Sequence, residues 1–359
     1  MSRICIVTTR NIFDAPCLDK YKNLITEDFD IIYWDRCDIS EDCGAVNYYK
    51  FNGKANSDAS KMTKLFLYFK FLIFAKKILK KNDYKKLIVF PSQTAWLILN
   101  ELKGRYKKKY IFDIRDYAGE NNKLINKMTA TAVENSSVCS ITSEAYKSFL
   151  PEGEYVVSHN IQNIEQTLID EYRLRNRGDG PVVLSFIGSV RFIEQQKRLI
   201  RLFGNDERFE IRYIGRGSEQ LADFCEKGNY KNVRLIGRFD RSQLGMFYSE
   251  SDMAINVYGN NDPYLDYALS NKLYSAAMMG MPILVSPKTY MAEITEKYNM
   301  GIAVDLDDCN APEKVYKYFK EIDEKTLFLN CEEFLSQVKK DEEKYTDMML
   351  FFDLDIIEK

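Results

Sequence analysis

Short apolar runs and longer amphipathic stretches take turns along this chain. Ile4 to Thr9, Phe29 to Trp34, Leu87 to Phe90, Tyr110 to Asp113 and Val138 to Thr142 have the length and apolar content of buried strands. Stretches around 61–82, 92–103 and 123–135 carry the spacing of helices. The alternation resumes with strands at Val182 to Ile187, Phe209 to Ile214, Val233 to Ile236, Met253 to Val257, Ile283 to Val285 and Ile302 to Val304. Regular alternation of this kind predicts an α/β protein with parallel, doubly wound sheets. Residues 161–181, ending Arg175-Asn-Arg-Gly-Asp-Gly-Pro, are polar and read as loop, which places a domain boundary between 1–165 and 180–335. Residues from about 311 onward read as helical, with 336–359 as a separate C-terminal segment.

Composition narrows the class. A length of 359 residues, 45% hydrophobic and 29% charged, suits two globular domains with good cores. Fifty-one basic against 53 acidic residues leave a charge of −2, and no global basicity argues for nucleic acid. Eight cysteines without C-x-x-C spacing and a single histidine, His159, argue against zinc and for reduced thiols. The opening Met-Ser-Arg-Ile-Cys-Ile-Val goes straight into a strand without a charged-then-apolar leader, so a cytoplasmic location is expected. The turn after the first strand, Arg10-Asn-Ile-Phe-Asp-Ala-Pro, lacks the glycines that a dinucleotide pyrophosphate needs for close backbone approach.

Candidate chemistry gathers in the second half. In Tyr267-Ala-Leu-Ser-Asn-Lys-Leu-Tyr-Ser-Ala-Ala-Met-Met-Gly-Met-Pro-Ile-Leu-Val-Ser286, Ser270 or Asn271 caps a helix, Gly280 ends it, Pro282 breaks it and a strand follows. Lys272 falls in the first turn, where a cation worsens the helix electrostatics unless an anion such as a diphosphate sits at that end. The other reading is an ordinary helix with a surface lysine. Gly188, Gly215, Gly217 and Gly237 stand at successive strand ends, where glycine lets a ligand approach or simply turns the chain. Arg191 follows the first of them, and arginine's planar fork matches two phosphate oxygens. Lys197 lies six residues on, in a basic helix whose solvated face is its alternative role. The polar, aromatic loop from Asn256 to Asp266 offers Tyr258 and Asp266 as groups to read a sugar.

The first half offers less. Arg115, Asp116 and Tyr117 follow the strand from Tyr110, at the carboxyl edge where ligands lie in open α/β sheets, with a loop ion pair as the alternative for Arg115. His159 reads as a structural histidine or a general base. Residues 61–86 hold nine lysines against one acid, interleaved with Phe66, Tyr68, Phe69, Phe71 and Phe74. They are too interrupted to span a bilayer but suited to an anionic interface. The other reading is a core helix with Leu65, Phe69, Leu72 and Leu79 on the sheet, and the two are compatible.

The run Leu269-Ser-Asn-Lys-Leu-Tyr through Gly280-Met-Pro-Ile-Leu-Val resembles the donor-site motif of nucleotide-sugar glycosyltransferases of the GT-B fold. The group it most looks like is the retaining family four enzymes of bacterial capsule and O-antigen synthesis. The resemblance implies two Rossmann-like domains facing a central crevice, acceptor domain first and donor domain second, with the last helix crossing back. It implies transfer from a nucleotide diphosphate sugar to a lipid-linked or growing surface polysaccharide, with retention, by an enzyme that can sit peripherally on the inner membrane face. Arg191 and Lys272 become the catalytic cations on the leaving diphosphate. Gly188, Ser189, Lys197, Gly215, Arg216, Gly217, Tyr258, Asn271, Leu273 and Ser275 become donor contacts. Arg10, Arg115, Asp116, Tyr117 and Asn160 fall on the acceptor side. The family's Glu-x7-Glu signature is absent, with Tyr267 and Ser275 in its places. No cofactor and no metal are expected, because Asp262, Asp266 and the Asp305-Leu-Asp307-Asp308 run lie away from the glycine turns. A non-catalytic nucleotide-binding or scaffolding protein of the same fold is the alternative.

Overall fold

A computed structural model describes residues 4–39, 42–53, 60–175 and 180–353. The chain divides into two compact units, one of Met1–His159 with Lys340–Lys359 and the other of Asn160–Lys339. Residues 176–179 of the predicted linker and 354–359 of the C-terminal segment lie outside the described residues.

The first unit holds a seven-stranded sheet of β1 (Ile4–Thr8), β2 (Phe29–Asp35), β3 (Tyr48–Asn52), β4 (Lys86–Phe90), β5 (Tyr110–Ile114), β6 (Val138–Ile141) and β7 (Val156–Val157). Its order is β3-β2-β1-β4-β5-β6-β7 and every pairing is parallel. The interior strands β1, β4 and β5 are buried along their whole length, which is why they read as unbroken apolar runs. Strand β3 gave no such signal, because as an edge strand it stays half exposed and keeps Tyr48, Lys50 and Asn52 among its residues.

The second unit repeats the plan with β8 (Val182–Ile187), β9 (Phe209–Ile214), β10 (Val233–Ile236), β11 (Met253–Asn256), β12 (Ile283–Val285) and β13 (Gly301–Ala303), in the order β10-β9-β8-β11-β12-β13. All pairings are again parallel. The strand order reverses between β1 and β4 in one sheet and between β8 and β11 in the other. In doubly wound sheets ligands bind outside the carboxyl ends of the strands at such a reversal.

Three sequence expectations need correction. The polar stretch after residue 160 contains a helix, Gln166–Leu174, whose Ile169 and Tyr172 are buried in the second unit's core; the intervening charges belong to its solvent side. The helix expected over 92–103 is two, Ser92–Leu97 and Leu99–Lys103, with non-helical backbone at Ile98 between them. Helix Lys61–Lys81 turns Phe71, Ala75, Ile78 and Leu79 to the core, while Leu65 and Phe69 are exposed and Leu72 is half buried. The rings of Tyr68 and Phe71 lie 5.0 and 5.9 Å from that of Trp34 on β2, and Phe71 and Phe74 meet Phe51 on β3. Large aromatic surface on those two strands selects this face over the other apolar one.

The last helix, Glu324–Asp353, serves both units. Leu327, Cys331, Phe334 and Val338 belong to the second unit's core, and Tyr345, Met349 and Phe352 to the first unit's.

Candidate functional site

In the second unit Ser270 is the N-cap of helix Asn271–Met279, its hydroxyl accepting from the Lys272 amide at 3.3 Å. Gly280 ends the helix in left-handed conformation at φ 72°, which glycine adopts without a Cβ clash. The helix is therefore fixed at both ends, and its first turn is held at the reversal between β8 and β11.

Lys272 is 6% exposed. Its ammonium donates to the Tyr258 hydroxyl at 2.7 Å, just past β11, and lies 4.2 and 4.9 Å from the ring centroids of Phe186 and Tyr258. A methyl group built on Gly188, just past β8, would meet the same nitrogen at 3.8 Å. Among the described residues no carboxylate pairs with it. Aromatic faces and one phenol offset only part of the cost of removing an ammonium from water, and an anion beside it would offset the rest.

The glycine turns pack against this point. Gly188 has φ 124° and Gly215 φ 139°, and a Cβ on Gly215 would lie 2.0 Å from the Gly188 carbonyl oxygen. The Gly188 amide bonds the Ile214 carbonyl and the Val190 amide bonds the Arg216 carbonyl, while Gly217 at φ 97° fits under the Val190 carbonyl. The two loops thus form one rigid strip at the ends of β8 and β9. Arg191 and Arg216 stand exposed on it and have no ion-pair partner among the described residues. Ser189 is also exposed there. Phe192, left-handed at φ 53°, stacks edge-on to Tyr258 at 5.5 Å and ties the strip to the β11 loop.

The structure so gathers Gly188, Ser189, Arg191, Gly215, Arg216, Gly217, Tyr258, Asn271 and Lys272 at one end of the second sheet. It turns Lys197, Leu273 and Ser275 elsewhere. Lys197 pairs with Glu194 at 2.7 Å on the helix that follows, the arrangement of its alternative reading. Leu273 is in the core, and Ser275 is fully buried next to the Tyr248 side chain, on the packed side of its helix. Asp266 ends a short helix, Pro263–Asp266, with one carboxylate oxygen buried and without a hydrogen bond among the described residues; desolvation raises its pKa.

Two residues near these turns were not singled out in the sequence. Phe186 looked like any apolar residue of a strand, and only its place beneath Lys272 reveals it. Arg238 follows Gly237 at the end of β10, exposed, repeating the pattern of an arginine after a strand-end glycine seen at Arg216.

In the first unit, Arg10 past β1 and Asp116 past β5 form an ion pair at 2.9 Å. The Arg115 guanidinium turns inward to Asp113 at 2.6 Å, where Asp113 also accepts from the Tyr21 and Ser140 hydroxyls. The ion-pair reading of Arg115 is the geometry found, with Asp113 as the acid. Tyr117 packs edge-on against Phe149 at 5.2 Å. Asn160 opens the second unit and is half buried. His159 is buried, its Nε2 3.1 Å from Asp341 Oδ2 and its amide bonded to Glu342; Glu342 also pairs with Lys20 at 2.5 Å. Desolvation lowers the His159 pKa, opposed by Asp341 and Glu342. Its partners are structural carboxylates from the last helix.

No family model matches the sequence, and no curated protein sequence matches it. Solved structures do. The chain is similar to sucrose-phosphate synthase from Thermosynechococcus elongatus, with TM-score 0.65 and 12% identity over 98% of this chain and 96% of that one. It is similar to HepE from Anabaena in complex with UDP and glucose, with TM-score 0.67 and 12% identity over 97% and 99% of the two chains. An α,α-trehalose-phosphate synthase (UDP-forming) from Burkholderia vietnamiensis gives TM-score 0.66 and 9% identity over 98% and 97%. At such identities the likeness defines the fold, and the fold is GT-B: two Rossmann-like α/β units with parallel sheets of seven and six strands.

Proposed function

We propose that the chain is a glycosyltransferase that takes a sugar from a nucleotide diphosphate donor. The observation that carries this reading is the buried ammonium of Lys272, lying at a helix start and a strand-order reversal without a carboxylate partner among the described residues. A diphosphate supplies the missing charge. As the acceptor hydroxyl oxygen bonds the anomeric carbon and the carbon–phosphate-oxygen bond breaks, negative charge grows on the departing diphosphate, whose freed oxygen takes up the hydroxyl proton. Lys272, Arg191 and the Asn271 helix start stabilise that charge. Asp266, with its unpartnered buried oxygen, takes up sugar hydroxyls in place of the motif carboxylate absent at Ser275. The acceptor is a bacterial surface polysaccharide intermediate, handled by the Arg10–Asp116 side of the first unit, and transfer proceeds with retention, as the sequence resemblance implies.

Thermal-shift screening with nucleotide diphosphates and nucleotide sugars is the first test, since a ligand bound only by the native state raises the melting temperature. Transfer should survive EDTA, and Arg191→Ala should cost roughly one to two orders of magnitude in kcat/KM, the value of one charge-assisted bond. No shift with any nucleotide sinks the reading; complete EDTA inactivation restored by magnesium sinks its metal-free part. The buried, uncharged Ser275 favours one second reading, a nucleotide-binding protein without transfer activity. Binding of a nucleotide sugar that is neither transferred nor hydrolysed establishes it.

A further inference from the structure

Helix Lys61–Lys81 is apolar on two faces, and among the described residues only one of them is covered. Phe71, Ala75, Ile78 and Leu79 fill the core. On the opposite face Met62, Leu65, Phe66, Phe69 and Ile73 follow helical spacing and are 75, 64, 56, 56 and 54% exposed. Five large apolar side chains aligned over about three turns form a ridge, whereas exposed hydrophobic residues on a protein surface are ordinarily scattered. The same face continues toward the carboxyl end with Lys77 and Lys80, and Lys70 flanks it with its ammonium 4.5 Å from the Phe66 ring centroid. The helix has seven lysines and no acid, in a chain of net charge −2.

We propose that this face docks on an anionic lipid bilayer, the helix lying parallel to the surface. Met62, Leu65, Phe66, Phe69 and Ile73 enter the boundary between headgroups and acyl chains, and Lys70, Lys77 and Lys80 rest against headgroup phosphates. Charge selects this occupant. A second copy meeting the ridge through its own ridge would bring together two helices that each carry seven lysines and no acid, because a twofold interface joins identical patches. An apolar peptide partner would leave the lysines unmatched. The mode is peripheral, since no helix among the described residues is long and apolar enough to cross a membrane.

The test is flotation of the full chain with vesicles of phosphatidylcholine alone and of phosphatidylcholine mixed with phosphatidylglycerol. The protein should float with the mixed vesicles and lose binding in high salt. Lys70→Gln with Lys77→Gln and Lys80→Gln should lower partitioning at least about tenfold on mixed vesicles and little on neutral ones. Phe66→Ser with Phe69→Ser should abolish it on both, at an unchanged melting temperature because both rings are exposed. Failure to float with mixed vesicles overturns the proposal, and so does flotation that the Phe variant leaves intact. Light scattering of a dimer that the Phe variant dissolves, without vesicle binding, overturns it in favour of a second copy. None of these outcomes depends on glycosyl transfer, so the docking and the activity can fail separately.

Discussion

Lys272 is a side chain that an empty core would reject. Replacing it by methionine keeps its length and removes the ammonium, so Lys272→Met should melt no lower than the unsubstituted protein without ligand. Its affinity for nucleoside diphosphates should fall about ten- to a hundredfold. Calorimetry on both measures the two effects, and a large loss of ligand-free stability would show that the ammonium serves the fold. His159 makes a pH statement. Burial lowers its folded-state pKa below the ordinary value near 6.5, so the unfolded chain takes up the proton first. Its contribution to stability is then present above about pH 6.5 and is lost as pH falls through the lowered folded pKa. Between neutral and mildly acid pH the unsubstituted protein should lose stability faster than His159→Gln, by at most about 1.4 kcal/mol per pH unit, as read by urea denaturation.

Among the elements, the glycine turns separate constraint from decoration. Gly215→Ala adds a Cβ 2.0 Å from the Gly188 oxygen at φ 139°, so it must break the strip that carries Arg191 and Arg216. Gly237 has nothing within 4 Å and no positive φ, and Gly237→Ala should change stability by less than about 1 kcal/mol. A Gly215→Ala protein that folds and binds nucleotide normally would refute the packed-strip account. The sequence made the interior strands and the Ser270 to Val285 turn legible, because burial on both faces writes continuous apolar runs and caps are local chemistry. It left β3 unread, since an edge strand alternates only weakly. Helix Lys61–Lys81 was legible as a helix but not in its orientation, because two apolar stripes satisfy the same periodicity. The Asp113 network was invisible for another reason: Tyr21 and Asp113 are 92 positions apart, and nothing local marks a pair that the sheet assembles. Lys272 stood out because a cation in a first helical turn breaks a local rule, whereas Phe186 beneath it breaks none.

At the scale of the whole molecule, the helix Glu324–Asp353 has a consequence for the order in which the protein comes into being. The first unit's core lacks Tyr345, Met349 and Phe352 until residues 345–352 have been made. On the ribosome the strands of that unit emerge early, and at about 5–20 residues per second the segment that completes their core follows roughly 10 to 40 seconds later. Tyr21, which packs in the same core as Tyr345, spends that interval without this neighbour. The second unit, by contrast, is encoded without interruption from Asn160 to Lys339. The half synthesised first is therefore the half finished last, and during each round of translation its unfinished core is the surface on which a holding chaperone would act.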